Sequence, residues 1–216
     1  LHYRPDILAI GNIEFDHADI FNTIEDIERQ FEYLLRTIPA DGHILINNDR
    51  TELSNLIKRG CWSNVTRLSC RNIEATWYAE NLTNNCGVFD VFQNRKKISR
   101  IDWNIIGRHN MANALTAVAA CCLAGLDPAM ACEALKTYQL PKRRLERINP
   151  GSAIAIFDDF AHHPTAIMET ILALKSSNPN KKLIAIVEPR SNTMKSGIQN
   201  ESLVNALKHS DITIIK

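Results

Sequence analysis

The sequence predicts an α/β protein in two units, each built on parallel strands, with a small antiparallel patch in the first. Three observations carry the prediction. β-Branched apolar runs alternate with stretches of helical period, the alternation changes to short β-rich runs from Asn64 to Asn104, and it restarts after a proline-led basic break at Pro141 to Arg144.

Asp6 to Ile13 suits a buried parallel strand whose C-terminal end delivers Glu14, Asp16 and His17 into a crevice, where open α/β sheets bind ligands. Thr23 to Ile38 places Ile24, Ile27, Phe31, Leu34, Leu35 and Ile38 at helical spacing, and Pro39 stops the helix. GHILIN then reads as a strand and LSNLIKRG as a helix closed by Gly60. VTRLSC, ATWYAENL, GVFDVF and KKISRIDW, divided by polar turns, read as an antiparallel patch or insertion. Met111 to Leu126 and Pro128 to Leu140 are two helices joined at Gly125 to Pro128. Beyond the linker, AIAIFD, KKLIAIVEP and DITIIK are strands, and PTAIMETILALKS and ESLVNALKHS are helices. The chain opens almost at once on a strand, without methionine, and its last strand has no closing helix. Residues 1–140 therefore read as a unit incomplete at its N-terminus, and residues 141–216 as one incomplete at its C-terminus.

Composition narrows the class of function. A net charge of +1, from 25 basic and 24 acidic side chains, gives no reason to expect nucleic acid or an anionic membrane as partner. No apolar run approaches the ~20 residues of a membrane span, and no leader is visible. The 6 cysteines form no CxxC pair and fit a reducing cytoplasm.

Several clusters can carry chemistry. DDFAHHPTAI sets Asp158 and Asp159 beside His162 and His163, with Pro164 opening a helix. Read alone, it fits a metal site, helix capping, or a contact to a sugar or base. NIEFDHAD gathers Glu14, Asp16, Asp19 and His17 in one loop, a set that suits magnesium bridged to phosphate or a plain capped turn. GRHNMANA puts Asn110 and Asn113 on one helical face, where amide donor and acceptor match an adenine edge, although Asn110 can equally cap the helix. KRRLE and EPRSNTMK supply guanidinium and ammonium groups able to grip phosphate or carboxylate.

In this order, EFDHADIF, GRHNMANA, KRRLE, DDFAHHP and EPRSNTMK, together with HYRP near the start, resemble the ATP-dependent Mur ligase family. HYRP, EFDHADIF and EPRSNTMK look most like its branch that joins a recycled murein tripeptide to UDP-N-acetylmuramate. The resemblance covers essentially the whole chain. It implies most of the family's central ATPase domain followed by about the first half of its Rossmann-like C-terminal domain, and a cytoplasmic enzyme of peptidoglycan recycling that uses ATP and Mg2+. It implies His17 as a magnesium ligand and catalytic residue, with Glu14 beside it and Asp16 shaping the loop. It implies Asn110 and Asn113 at adenine, Arg144 at the ATP phosphates, Asp159, His162 and His163 at the nucleotide, with Arg144 and Asp159 also catalytic, and Arg190, Ser191, Asn192 and Lys195 at the incoming peptide.

Two departures bear on activity. The family's glycine-rich phosphate loop and its UDP-sugar domain are absent from the sequence, so the 216 residues alone are expected to be inactive. No lysine occurs from Ala18 to Ile57, which fits a branch attaching L-alanine or its tripeptide rather than D-glutamate. An L-alanine ligase, a non-catalytic nucleotide- or peptide-binding module, and a metallohydrolase are the competing readings.

Overall fold

The computed structural model describes residues 2–216. Its first part holds a six-stranded sheet whose strands follow chain order: β1 (Ile7–Ile10), β2 (His43–Asn47), β3 (Asn64–Ser69), β4 (Trp77–Asn81), β5 (Val88–Gln93) and β6 (Lys96–Asp102). β1 to β4 pair parallel, and β4, β5 and β6 pair antiparallel. The antiparallel patch is thus an extension of the main sheet, joined to it by the Leu68↔Trp77 and Ser69↔Tyr78 pairs.

Both faces of this sheet are covered, which is why β2 is an unbroken apolar run. Successive side chains of a strand point to opposite faces. Ile44 and Ile46 pack with Ile27 and Leu35 of α1 (Ile24–Leu35) and with Leu53 and Leu56 of α2 (Thr51–Lys58). Leu45 lies in the cluster that holds Phe89, Val91 and Ile101 together with Met111, Leu115 and Val118 of α3 (Arg108–Leu123). α1 starts at a capping box in which the Thr23 hydroxyl accepts from the Asp26 amide and the Asp26 carboxylate accepts from the Thr23 amide.

Two boundaries differ from expectation. α3 begins a turn before Met111, because Gly107 supplies the N-cap at φ 100°, so the GRHN segment forms its entrance. α4 (Pro128–Leu135) stops short of Leu140, and the Thr137 hydroxyl takes the Ala134 carbonyl at 3.1 Å.

The remaining elements are β7 (Glu146–Arg147), β8 (Phe157–Asp158), α5 (Pro164–Ser177), β9 (Ile184–Val187), α6 (Asn192–Lys195), α7 (Asn200–Leu207) and β10 (Ile212–Ile215). β9 and β10 pair parallel, and Ile167 and Ile171 of α5 meet Leu203, Ala206 and Leu207 of α7 beside Ala185 and Val187. The AIAIFD run departs from its expected form. Only Phe157 and Asp158 are strand, paired antiparallel with β7, and the two short sheets do not join. A cavity of about 660 Å³ lined by Ile154, Ile156, Ile184 and Ile186 lies between them, so residues 153–156 have no parallel neighbour to extend along.

Candidate functional site

After β1 the chain turns through a loop set by its own short-range hydrogen bonds. His17 adopts a left-handed φ of 55°, its amide donates to Asp16 Oδ1 at 2.8 Å, and its carbonyl accepts from Ile20 and Phe21 at 2.8 and 2.9 Å. The His17 side chain is exposed.

A cavity of about 650 Å³ lies between this loop, the entrance of α3, the linker and the start of α5. It brings together Glu14, Asp16, Asn110, Asn113, Arg144, Asp159 and His163, residues spread over most of the sequence. His17, His162, Arg190, Ser191, Asn192 and Lys195 are not among its lining residues.

The lining residues are not equally free. Asn110 is 8% exposed and donates Nδ2 to the Ile106 carbonyl at 2.8 Å, whereas Asn113, one turn on, is exposed. Asp159 accepts the Leu145 amide on Oδ2 and the Ala161 amide on Oδ1, both at 2.8 Å. The linker is folded back on the 158–162 loop, with Arg143 and Leu145 in left-handed conformations and the exposed Arg144 between them. The Arg143 and Arg144 guanidinium carbons stand 5.0 and 5.9 Å from the centroid of the Phe160 ring, and the His162 ring meets that ring edge-on.

Outside the cavity, the segment after β9 has its own bonds. Arg190 pairs with Glu188 at 2.8 Å, the Ser191 hydroxyl caps α6 by accepting from Met194, and Asn192 reaches Asp19 at 3.3 Å. Lys195 is exposed.

His163 ties α5 to the loop. Its Nδ1 lies 2.9 Å from Glu14 Oε2, and its Nε2 lies 3.3 Å from the Phe15 carbonyl. Burial pushes the Glu14 carboxyl up, but hydrogen bonds from His163, Thr165 and Asn12 outweigh it and hold the group down at about 2. The bond to Glu14 raises the His163 imidazole against the opposing pull of burial. The protonated ring donates to both partners. The neutral ring can keep Nε2–H on the Phe15 carbonyl and accept the Thr165 amide on Nδ1, 3.3 Å away, as the cap of α5.

Three lining or loop-contacting residues carried no signal in the sequence. His109 lines the cavity with Nδ1 buried and 3.9 Å from Glu169 Oε2, and burial draws its imidazole below the usual range. Thr193 and Gln199 contact the loop from the far end of the chain, at Ala18 and Phe15. Sequence separations of 175 and 184 residues hide such pairs from any local pattern.

Chemically, the cavity offers a guanidinium for an anion, an exposed amide with donor and acceptor for a base edge, and two carboxylates of depressed pKa, Glu14 and Asp16. Among the described residues no group of three or more His, Cys, Asp or Glu side chains converges as a metal site. The donor set instead suits a hard cation that keeps most of its ligands from water and phosphate, as magnesium does.

Known proteins share both sequence and fold. The description of the Mur ligase middle domain matches residues 1–121, and that of the Mur ligase glutamate ligase domain matches residues 143–215. The UDP-N-acetylmuramate--L-alanyl-gamma-D-glutamyl-meso-2,6-diaminoheptandioate ligase of Haemophilus influenzae is 41% identical over 212 residues, 98% of this chain and 46% of that protein. The UDP-N-acetylmuramate--L-alanine ligase of Caldanaerobacter subterraneus is 32% identical over 194 residues, 88% of this chain and 42% of that protein. The crystal structure of a murein peptide ligase from Psychrobacter arcticus superposes with a TM-score of 0.70 at 37% identity, covering 99% of this chain and 44% of that one. The chain spans about half the length of the curated relatives it matches.

Proposed function

The chain belongs to the Mur ligase family, and on that premise we propose that the whole protein is an ATP-dependent ligase that joins L-alanyl-gamma-D-glutamyl-meso-diaminopimelate to UDP-N-acetylmuramate. The observation that carries the reading is the cavity shared by the β1 loop, α3, the linker and α5. It collects a guanidinium, an exposed amide and two carboxylates from both matched regions at one place, groups suited to an anion, a base edge and a cation.

In the reaction, the muramoyl carboxylate attacks the γ-phosphorus of ATP, ADP departs, and an acyl phosphate forms. The alanyl amine of the tripeptide then attacks the acyl carbon, phosphate leaves, and the ammonium proton is lost to solvent or a nearby base. Negative charge gathers on phosphoryl oxygens in the first step, so positioned cations and hydrogen-bond donors supply most of the help. Arg144 faces the phosphates in this reading, Asn113 the adenine edge, and Asp159 and His163 close the nucleotide side with His162 at its rim. Asn110 holds the helix entrance that presents Asn113. Bound Mg2+ would neutralise phosphate charge, with His17 and Glu14 as its protein side and Asp16 shaping their loop. Arg190, Ser191, Asn192 and Lys195 lie on the side assigned to the peptide.

We place the division between the central and C-terminal domains at residues 140/141, and the protein in the cytoplasm. No described helix is long and apolar enough to cross a membrane. The phosphate loop is absent from these 216 residues, so activity is expected of the whole protein and not of this chain alone. An L-alanine ligase is the second reading, favoured by the match to the Caldanaerobacter enzyme. The deciding assay is ATP hydrolysis by the whole protein with UDP-N-acetylmuramate and either tripeptide or L-alanine. Turnover that requires tripeptide supports the first reading, turnover with alanine the second, and none with either removes both.

A further inference from the structure

The loop that carries Glu14, Asp16 and His17 is set only in part by its own short-range hydrogen bonds. Beyond the turn at His17 and the His163 contact from α5, residues after β9 also hold it. The Thr193 hydroxyl accepts the Ala18 amide at 3.1 Å. Gln199 donates Nε2 to the Phe15 carbonyl at 2.8 Å. Both are buried polar residues, 1% and 9% exposed, and Asn192 adds an outer bond to Asp19.

Stability alone does not explain this choice. Gln199 Oε1 is buried with no partner among the described residues, so one end of the side chain is desolvated without return. An apolar residue of similar size would remove that cost. What it could not do is donate to the Phe15 carbonyl, which would be left to the longer 3.3 Å contact with His163 Nε2 in the loop that carries Glu14 and Asp16.

We propose that Thr193 and Gln199 are positioning residues that hold the Glu14–Asp19 loop in its cavity-facing geometry, so that the segment assigned to the peptide sets the side assigned to the metal and nucleotide. The inference rests on the proposed function for its chemical meaning, but its physical content is separate. Arg190, Ser191 and Asn192 precede Thr193 directly, so any ligand that orders them acts on the same short helix that binds Ala18.

The test uses hydrogen–deuterium exchange on the whole protein without ligands, comparing wild type with Thr193→Val, Thr193→Ser and Gln199→Leu. Thr193→Val keeps the shape and loses the hydroxyl, and Thr193→Ser keeps the hydroxyl. The expected result is exchange about tenfold faster across Ile13–Phe21 in Thr193→Val and Gln199→Leu, unchanged exchange in β2 and α3, and near-wild-type protection in Thr193→Ser. Gln199→Leu should loosen the loop without lowering the unfolding midpoint. The Mg2+ concentration for half-maximal turnover should rise about tenfold in Thr193→Val, with kcat changed less. Unchanged loop exchange, a uniform rise across the protein, or a Ser variant that behaves like Val would each overturn the inference. If wild type turns over no substrate, the proposed function falls while the exchange comparison still decides this point.

Discussion

His163 Nδ1 and Glu14 Oε2 are 2.9 Å apart, and that contact joins the first turn of α5 to the loop after β1. Both side chains are mostly buried, so the pair is poorly screened. The pair's contribution depends on pH through both members. Glu14 is held low, so its share is present above the ordinary glutamate range and is lost as pH falls toward about 2. His163 is held high, so its share is complete below the ordinary histidine range and is lost as pH rises through its raised value. The stabilisation is therefore greatest between about pH 4.5 and 6.5. His163→Ala should destabilise the whole protein most in that window, by about 1.5–3 kcal/mol in charged hydrogen bonds, and less as pH rises through the raised imidazole value. A difference that stays flat from pH 5 to 8.5 would show that the ring acts through packing alone.

The two asparagines of α3 should separate cleanly. Asn110 is buried and bonded to the Ile106 carbonyl, so Asn110→Ala should cost about 1–2 kcal/mol of stability. Asn113 is exposed at the cavity, so Asn113→Ala should leave stability within about 0.5 kcal/mol and raise the KM for ATP instead. Thermal unfolding and ATP titration of both variants in the whole protein give the comparison. Equal loss of ATP affinity without loss of stability would mean that both face the nucleotide.

These asparagines also show where the sequence was legible. Their three-residue spacing placed them correctly on one helix, but spacing says nothing about depth, and Gly107 moved the helix start so that Asn110 falls inside its first turn. The parallel strands were readable because burial on both faces leaves long apolar runs, as in β2. AIAIFD looked the same by composition. Its residues 153–156 nevertheless border a cavity, because a strand needs a hydrogen-bonding neighbour that no local pattern can reveal. The site followed the same division. Glu14, Arg144 and Asp159 stood out as charged groups at element ends, whereas Thr193 and Gln199 became visible only when distant segments met.

Asp159 should act first on shape. Its oxygens accept the Leu145 and Ala161 amides, and Leu145 sits at a φ of 49° that an L side chain occupies at a cost of about 1–2 kcal/mol. Asp159→Ala leaves both amides without that acceptor and frees the linker to relax. We expect a loss of about 2–3 kcal/mol and faster amide exchange at residues 143–147. Asp159→Asn keeps one acceptor oxygen and should lie between wild type and alanine. A variant with undisturbed linker exchange would place the role of Asp159 at the ligand instead.

Arg144 should act on chemistry with little effect on folding. It is exposed, lies in the cavity wall, and its guanidinium carbon stands 5.9 Å from the centroid of the Phe160 ring. Removing an exposed side chain of this kind changes stability by no more than about 0.5 kcal/mol. If its guanidinium faces the transferring phosphoryl group, the interaction strengthens as charge develops, so Arg144→Ala should lower kcat by about 10²–10³ with a smaller change in the KM for ATP. Arg144→Lys keeps the charge but loses the planar pair of donors, and should recover only a minor part of the rate. Steady-state kinetics of the whole protein at saturating UDP-N-acetylmuramate and tripeptide measure both quantities. A rise in KM with kcat intact would move Arg144 from the reacting phosphate to ground-state binding of the nucleotide.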